Sequence, residues 1–427
     1  MEISETQYQQ PAYRRSRLAY HMECAFAYMG TLLVSDAYLA KVLTAAGLSD
    51  DLIGIISTLV SLGSLVGLFS ILMMTRLRQL KRTVIVFQTV SGLFFMLTFL
   101  VPLLPVSHTV RVLLIFLAIG GGYFCRCLVS TIYYRWANSY VNPAGLGKYS
   151  SVKEMISLLS GIVFTLWAGL TMDRFEEAGD LKSAFLLMAG VILLLSLLSF
   201  LSLTAIEKDS GESTGRMHRP LSEVWRETMG NKAFRKIVLI TALADVAKYI
   251  TLGFLGTFKT NDLGMSVGTV QWINTAANLC RFAVSIPFGV YSDHKGYQKG
   301  YRLGLLLSVI AFAFSALTTL RTVWMVIPFT ILFNVSLAGT NSNGTNLCYT
   351  CVQQDCLIQA MAIRTAVCGV SGFLASLAAS RVLAAIQAAG NQVLGVPMYG
   401  QQFLSAVSAV LLLIAYFAAG TMKGEKR

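Results

Sequence analysis

The chain is built from apolar stretches of about twenty residues separated by short polar segments, and that spacing fixes its class. About twenty residues at 1.5 Å each cross the roughly 30 Å hydrocarbon layer as a helix. Only 13% of the 427 residues are Asp, Glu, Lys or Arg, and 55% are hydrophobic. A soluble domain carries about a quarter charged residues. The pattern therefore predicts an all-α, polytopic membrane protein, with the lipid bilayer as its first partner. Spans are expected at about 18–42, 52–74, 83–101, 111–133, 150–172, 183–204, 236–258, 269–292, 302–320, 323–347, 358–382 and 402–421, which makes twelve. The first is too long for a signal-peptide core and lacks an A-x-A cleavage pattern.

Charge placement gives orientation. The formal net charge is +13, and the basic residues fall mainly in loops of one side. That side holds 22 Lys and Arg, among them Arg14, Arg15, Arg17, Arg76, Arg78, Lys81 and Arg82. The other holds 7: Lys41, Arg111, Arg174, Lys182, Lys259, Arg321 and Arg381. Such a bias places both termini in the cytoplasm, in the cell membrane. No basic helix with interleaved aromatics lies outside the spans, so nucleic acid is not an expected partner. Cys348 and Cys351 form a lone C-x-x-C beside Cys356, without the second pair or nearby His that a zinc site needs. No metal or cofactor is expected. No G-x-x-x-x-G-K-S/T motif offers ATP a seat. His21, His108, His218 and His294 lie near span ends or in loops, away from any catalytic set, so the chain is not expected to be an enzyme.

The chain divides in the middle. Residues 1–204 are expected to form one six-helix bundle, 205–235 a cytoplasmic loop, and 236–427 a second bundle. Within the loop, Pro220–Met229 reads as a short amphipathic surface helix. The halves also repeat. Gly47–Gly54 aligns without a gap with Gly264–Gln271, an offset of 217. Lys153–Gly161 aligns with Arg364–Gly372, an offset of 211. Two matches at nearly equal offset indicate duplicated halves.

With twelve spans, two repeats and a central loop in place, the motif G-x-x-x-D-x-x-G becomes informative. Gly289, Asp293 and Gly296 satisfy it, with Lys299 following. The equivalent stretch of the first half, Leu72–Arg82, keeps only the basic residues. On these residues the chain resembles the major facilitator superfamily (MFS) of transporters. The resemblance implies two pseudo-symmetric six-helix bundles around a midplane cavity, lined mainly by spans 1, 4, 7 and 10 with help from 2, 5, 8 and 11. It implies alternating access and an inner gate at Asp293, Gly289 and Gly296. Lys153 and its repeat mate Arg364 lie near the inner ends of spans 5 and 11 and complete the gate set, with an Asp293–Lys153 contact expected.

Charges inside spans cost roughly 3 kcal/mol or more each and need partners or a water-filled cavity. Gln271, Asn274, Asn278 and Arg281 fall on one stripe of span 8, which lipid would reject. Thr241, Asp245 and Lys248 share a face of span 7; Asp245 and Lys248 can neutralise each other, or Asp245 can exchange a proton. Span 1 offers Glu23 and the stripe Cys24, Tyr28, Thr31, Ser35 and Tyr38, and span 4 brings Tyr123, Arg126 and Ser130 to one side. Two guanidinium groups, Arg126 and Arg281, suit a carboxylate or phosphate, each being a bidentate fork. Span 10 adds Asn334, Asn341, Asn343 and Asn346, which suit hydroxyls or serve as interhelical fasteners. The expected function is secondary transport of a small polar solute. A proton is the expected coupling ion, carried first by Asp245 and second by Glu23, with sodium as the alternative. A symporter of an anion, a neutral sugar transporter and a lipophilic-drug exporter all remain open, and a monomer is expected.

Overall fold

The computed structural model describes residues 11–422 except 60, 64, 67–78, 139, 141–145, 208–220, 353–356 and 394. The first-half stretch Leu72–Arg82 falls largely outside the described residues, as do the last eight residues of span 2 and Cys356. The helices are α1 (Pro11–Leu33), α2 (Asp36–Ala45), α3 (Asp50–Ser57), α4 (Leu80–Leu100), α5 (His108–Asn138), α6 (Leu146–Glu177) and α7 (Leu181–Ala205). They continue with α8 (Leu221–Gly230), α9 (Lys232–Leu252), α10 (Val267–Lys295), α11 (Tyr297–Ala316), α12 (Val326–Tyr349), α13 (Leu357–Ala388) and α14 (Gly400–Ala419). A two-residue antiparallel pair, β1 (Gln392–Val393) and β2 (Val396–Pro397), precedes α14.

Among the described residues, nine helices are long and apolar enough to cross a membrane, or ten if α1 and α2 form one bent span. The expected first span is in fact broken, with a 46° bend between its parts. The cause is local. Thr31 Oγ1 donates to the carbonyls of Ala27 and Tyr28, and Ser35 Oγ to that of Leu32. Such back-bonding bends helices, and Asp36 then takes a left-handed φ of 45°. Span 7 runs as one piece from Lys232 to Asp262, with α9 ending at Leu252 and a wider π turn from Phe258 to Asp262. The helix α10 is long enough but not apolar enough to count among the nine, because the polar stripe of span 8 runs along it.

The chain forms two compact units, Met1–Leu48 with Val66–His218, and Ser49–Leu65 with Arg219–Arg427. In the first unit α4 packs on α5 and α7, while α1 packs on α7 and α6. In the second, α11 packs on α12 and α14, while α9 packs on α14 and α13. These are the same four pairings in repeat register, so the duplication read from two short matches is also a duplication of packing. One core gathers Tyr20, Val84, Val129, Trp136 and Leu203; the other gathers Phe234, Leu305, Phe312, Phe329 and Leu412. Large apolar side chains such as Val163 (70% exposed) and Ile286 (74% exposed) point outward, which lipid tolerates and water would not.

Two polar fastenings hold segments that apolar packing alone would leave loose. Lys81 donates to the carbonyls of Thr204 (2.7 Å) and Ile206, placing a cation at the negative C-terminal end of α7. In the second unit, Asp50 at the start of α3 accepts from Asn261 (3.3 Å) and from Gln387 of α13 (3.0 Å). The expected surface helix forms as α8, with Trp225 exposed, and Asn231 beyond it donates to the Cys351 carbonyl at 2.9 Å.

Candidate functional site

Each unit contains its own buried polar centre. In the first unit the centre is Glu23, 1% exposed in the middle of an apolar bundle. Tyr133 of α5 donates its hydroxyl to Glu23 Oε2, and Ser199 of α7 donates to Oε1 at 3.2 Å. Three helices distant in sequence thus converge on one carboxylate. Cys24 Sγ lies 3.6 Å from the Tyr133 hydroxyl. Arg126 is close enough for its charge to act on Glu23, while its Nη1 donates to the Ala27 carbonyl at 3.2 Å. Tyr123 donates to the Val34 carbonyl at 3.4 Å. The span 4 side expected from Tyr123 and Arg126 therefore faces span 1, whereas Ser130 is exposed and bonds back within its helix.

Toward the start of α1 the centre continues as an aromatic stack. Tyr20 meets Tyr133 edge-on at 5.3 Å, and His21 lies 4.4 Å from the Tyr149 ring. Lys153 Nζ stands 5.9 Å from the Tyr20 centroid, a cation–π contact inside the first unit. Lys153 therefore meets an aromatic face. Asp293, near the end of α10, is exposed, and the following Gly296 takes a φ of 94° that only glycine adopts without strain. Gly289 has open space where a Cβ would be.

In the second unit Asp245 and Lys248 form the expected i, i+3 pair, at 3.4 Å. Lys248 is 8% exposed. Thr241, one turn earlier, accepts from Cys368 Sγ of α13 at 3.5 Å. Arg364 is drawn into this centre: its Nη1 lies 3.9 Å from Cys348 Sγ, and the charges of Asp245 and Arg364 act on each other and on Tyr301. Its buried Nε has no hydrogen-bond partner. Arg364 thus sits among polar groups of α9, α11 and α12.

Along α10 the exposure of the span 8 stripe differs from that of the residues beside it. Gln271 is buried, and Asn274, Asn278 and Arg281 are half-buried, while Trp272 and Leu279 on the other side of the helix are 56% and 52% exposed. The amides of α12 are used differently. Asn334 and Asn343 donate to carbonyls one turn back, at 2.9 and 2.8 Å, so they serve their own helix, and Asn341 is exposed. Asn343 Oδ1 is buried without a partner. Among the described residues no group of His, Cys, Asp and Glu is arranged to hold a metal.

Sequence reasoning missed Tyr133, Ser199, Tyr301 and Cys368. A signal existed for Tyr133: it continues the Tyr123, Arg126, Ser130 series by one more step of three. Ser199 and Tyr301 carry no periodic signal, since a single Ser or Tyr in a span is ordinary.

Comparison with known proteins decides the family. The model of the MFS/sugar transport proteins matches residues 65–379. The chain belongs to the MFS/sugar transport protein family. As a member it is a multi-pass membrane transporter of the secondary type, and not an enzyme. Solved structures share this fold at low identity. A point mutant of the nucleoside transporter NupG superposes with a TM-score of 0.75 at 12% identity, over 95% of this chain and 99% of that one. A bacterial metal transporter gives 0.67 at 13% identity, over 97% and 98%. A bacterial homologue of the human lysosomal transporter Spinster, inward-facing and unoccupied, gives 0.68 at 14% identity, over 97% and 98%. No curated protein sequence matches this family member.

Proposed function

We propose that the chain carries a small, hydroxyl-bearing polar solute across the cell membrane by alternating access, as a proton symporter with both termini in the cytoplasm. The observation that supports a polar solute is the α10 stripe, Gln271, Asn274, Asn278 and Arg281, turned away from a helix face bearing exposed Trp272 and Leu279. Amide groups offer donors and acceptors together, which is what hydroxyls need. The family description names sugars, and one neighbour of the same fold is a nucleoside transporter; both solutes are rich in hydroxyls. A second reading, an anionic solute, is favoured by Arg281 at the end of the stripe. Proton coupling draws support from Asp245 and Glu23. A carboxyl group in a dry bundle is held there only by partners, Lys248 for one and Tyr133 with Ser199 for the other.

The test is uptake into proteoliposomes with the interior made alkaline, comparing a hexose, a nucleoside, an organic anion and a lipophilic cation. Accumulation of the hexose or nucleoside, abolished by a protonophore, is the expected result. Asp245→Asn is expected to lose gradient-driven accumulation while keeping solute exchange at equal pH. Accumulation of the lipophilic cation alone, or uptake indifferent to the gradient, would overturn the proposal.

A further inference from the structure

The polar centre of the second unit contains a guanidinium with almost nothing to bond. Arg364 of α13 is half-buried, and its Nε is sealed from solvent without a hydrogen-bond partner. A guanidinium presents five N–H donors. Among the described residues the acceptor it meets is Cys348 Sγ of α12, 3.9 Å from Nη1. A thiol sulfur is a weak acceptor, and this thiol gives its own hydrogen to the Gly344 carbonyl at 3.4 Å. One turn before Cys348, a Cβ at Gly344 would stand 3.2 Å from Nη2 and 3.4 Å from Tyr301 Cε2. The cation and the phenol ring of α11 thus come together over a residue without a side chain.

The charge count points the same way. The groups whose charges act on Arg364 are Cys348, Cys368, Tyr301 and Asp245. Thiols and phenols are ordinarily neutral at pH 7, so Asp245 of α9 is the one carboxylate in that set. It is already engaged: Lys248, 8% exposed, stands 3.4 Å from it on the same helix. Arg364 forms no ion pair among the described residues. Two cations against one carboxylate leave a single positive charge inside the bundle. An unmatched charge and unmet donors within a span are both costly. A side chain that only filled the space between α13 and α12 would do so without that cost as Met, which is long and uncharged.

We infer that Arg364 is the principal ligand of a site for one monovalent anion, a halide or a carboxylate, in the centre it shares with Lys248, Asp245 and Tyr301. One such anion meets the open donors of the fork and brings the centre to neutrality. A guanidinium suits the task because it is more weakly hydrated than an ammonium and gives up water readily. The site lies within the second unit and is independent of which solute the protein carries.

The probe is chloride. Thermal unfolding of the purified full chain is followed against chloride concentration at constant ionic strength, with a bulky sulfonate as the replacement, and in parallel against bromide and acetate. An anion that binds the folded state raises the midpoint saturably. The wild type is expected to show this rise; a rise with both halides identifies a free halide, and a rise with acetate alone identifies a carboxylate. Arg364→Gln is expected to abolish it, and Arg364→Lys to keep it with affinity about tenfold weaker. Lys248→Met removes the excess charge and is expected to weaken binding although the guanidinium remains. Asp245→Asn adds to the excess charge and is expected to tighten binding about tenfold. That gain separates an anion site from a structural arginine, for which losing a nearby carboxylate brings no anion dependence. Matched elution profiles check folding, and where Arg364→Gln does not elute as a folded protein the Asp245→Asn arm decides. A midpoint indifferent to all three anions, a saturable rise that Arg364→Gln leaves unchanged, or no tightening in Asp245→Asn would overturn the inference, while the transporter reading would stand.

Discussion

Replacing Tyr133 by Phe removes one hydroxyl from the Glu23 centre and leaves the rest of the ring in place. Glu23 is 1% exposed and accepts from Tyr133 and Ser199, with Cys24 beside it. A hydrogen bond to an ionised carboxylate contributes about 1.5–3 kcal/mol, and one between neutral groups about 0.5–1.5 kcal/mol. If Glu23 carries its charge in the resting protein, Tyr133→Phe is expected to cost about 2–3 kcal/mol of unfolding free energy. In a Glu23→Gln background the same change is expected to cost about 1 kcal/mol, because the bond lost is then neutral. The double-mutant cycle therefore predicts a coupling of about 1–2 kcal/mol. Reversible unfolding in mixed micelles at neutral pH is the assay, with Ser199→Ala as a parallel arm at the longer, 3.2 Å bond. A Tyr133→Phe cost that is small and the same in both backgrounds would refute the argument that the phenol holds a charged carboxylate.

Further predictions follow from the polar fastenings. Asp50→Ala removes the acceptor shared by Asn261 and Gln387 and is expected to speed hydrogen exchange across 49–57, with a stability loss of about 1–2 kcal/mol. Unchanged exchange there would show that α3 is held by apolar packing alone. Lys81→Met keeps the stem but strips the cation from the α7 C-terminus; exchange is expected to rise over the last turn of α7 and nowhere else, at about 0.5–1 kcal/mol. Asp180 caps α7 by accepting from the Ser183 backbone, and the Ser183 hydrogen bonds hold its carboxyl below the usual carboxylate range. The cap is therefore intact above the ordinary carboxylate pKa and lost as pH falls through the lowered one. An NMR titration of the Asp180 carboxyl is expected to show that low midpoint, which Ser183→Pro would raise toward normal by removing the backbone donor.

The span pattern was legible because bilayer thickness dictates it, and the repeat because two gapless matches share nearly one offset. The stripe of α10 is read from helical spacing, which puts four polar residues on one face of the helix. Asp245 and Lys248 were legible for the same reason, being neighbours on a single helix. What stayed hidden depends on contacts between distant segments. Tyr133 and Ser199 lie 110 and 176 residues from Glu23. The bend near Ser35 arises from hydroxyls turning back on their own helix, which the same Ser and Thr residues elsewhere do without bending it. Arg364 was read as part of the gate from its repeat position, and its contact with Cys348, on another helix, carries no signal in the sequence.

The most direct test of the account asks whether the α10 stripe borders water. In a background cleared of native cysteines, single cysteines at Gln271, Asn274, Asn278, Arg281, Trp272 and Leu279 are exposed to a membrane-impermeant thiol reagent in sealed vesicles. The account predicts labelling at the four stripe positions, slowed by transported solute, and none at the two positions on the other side of the helix. Inert stripe positions, or labelling that solute does not alter, would contradict it.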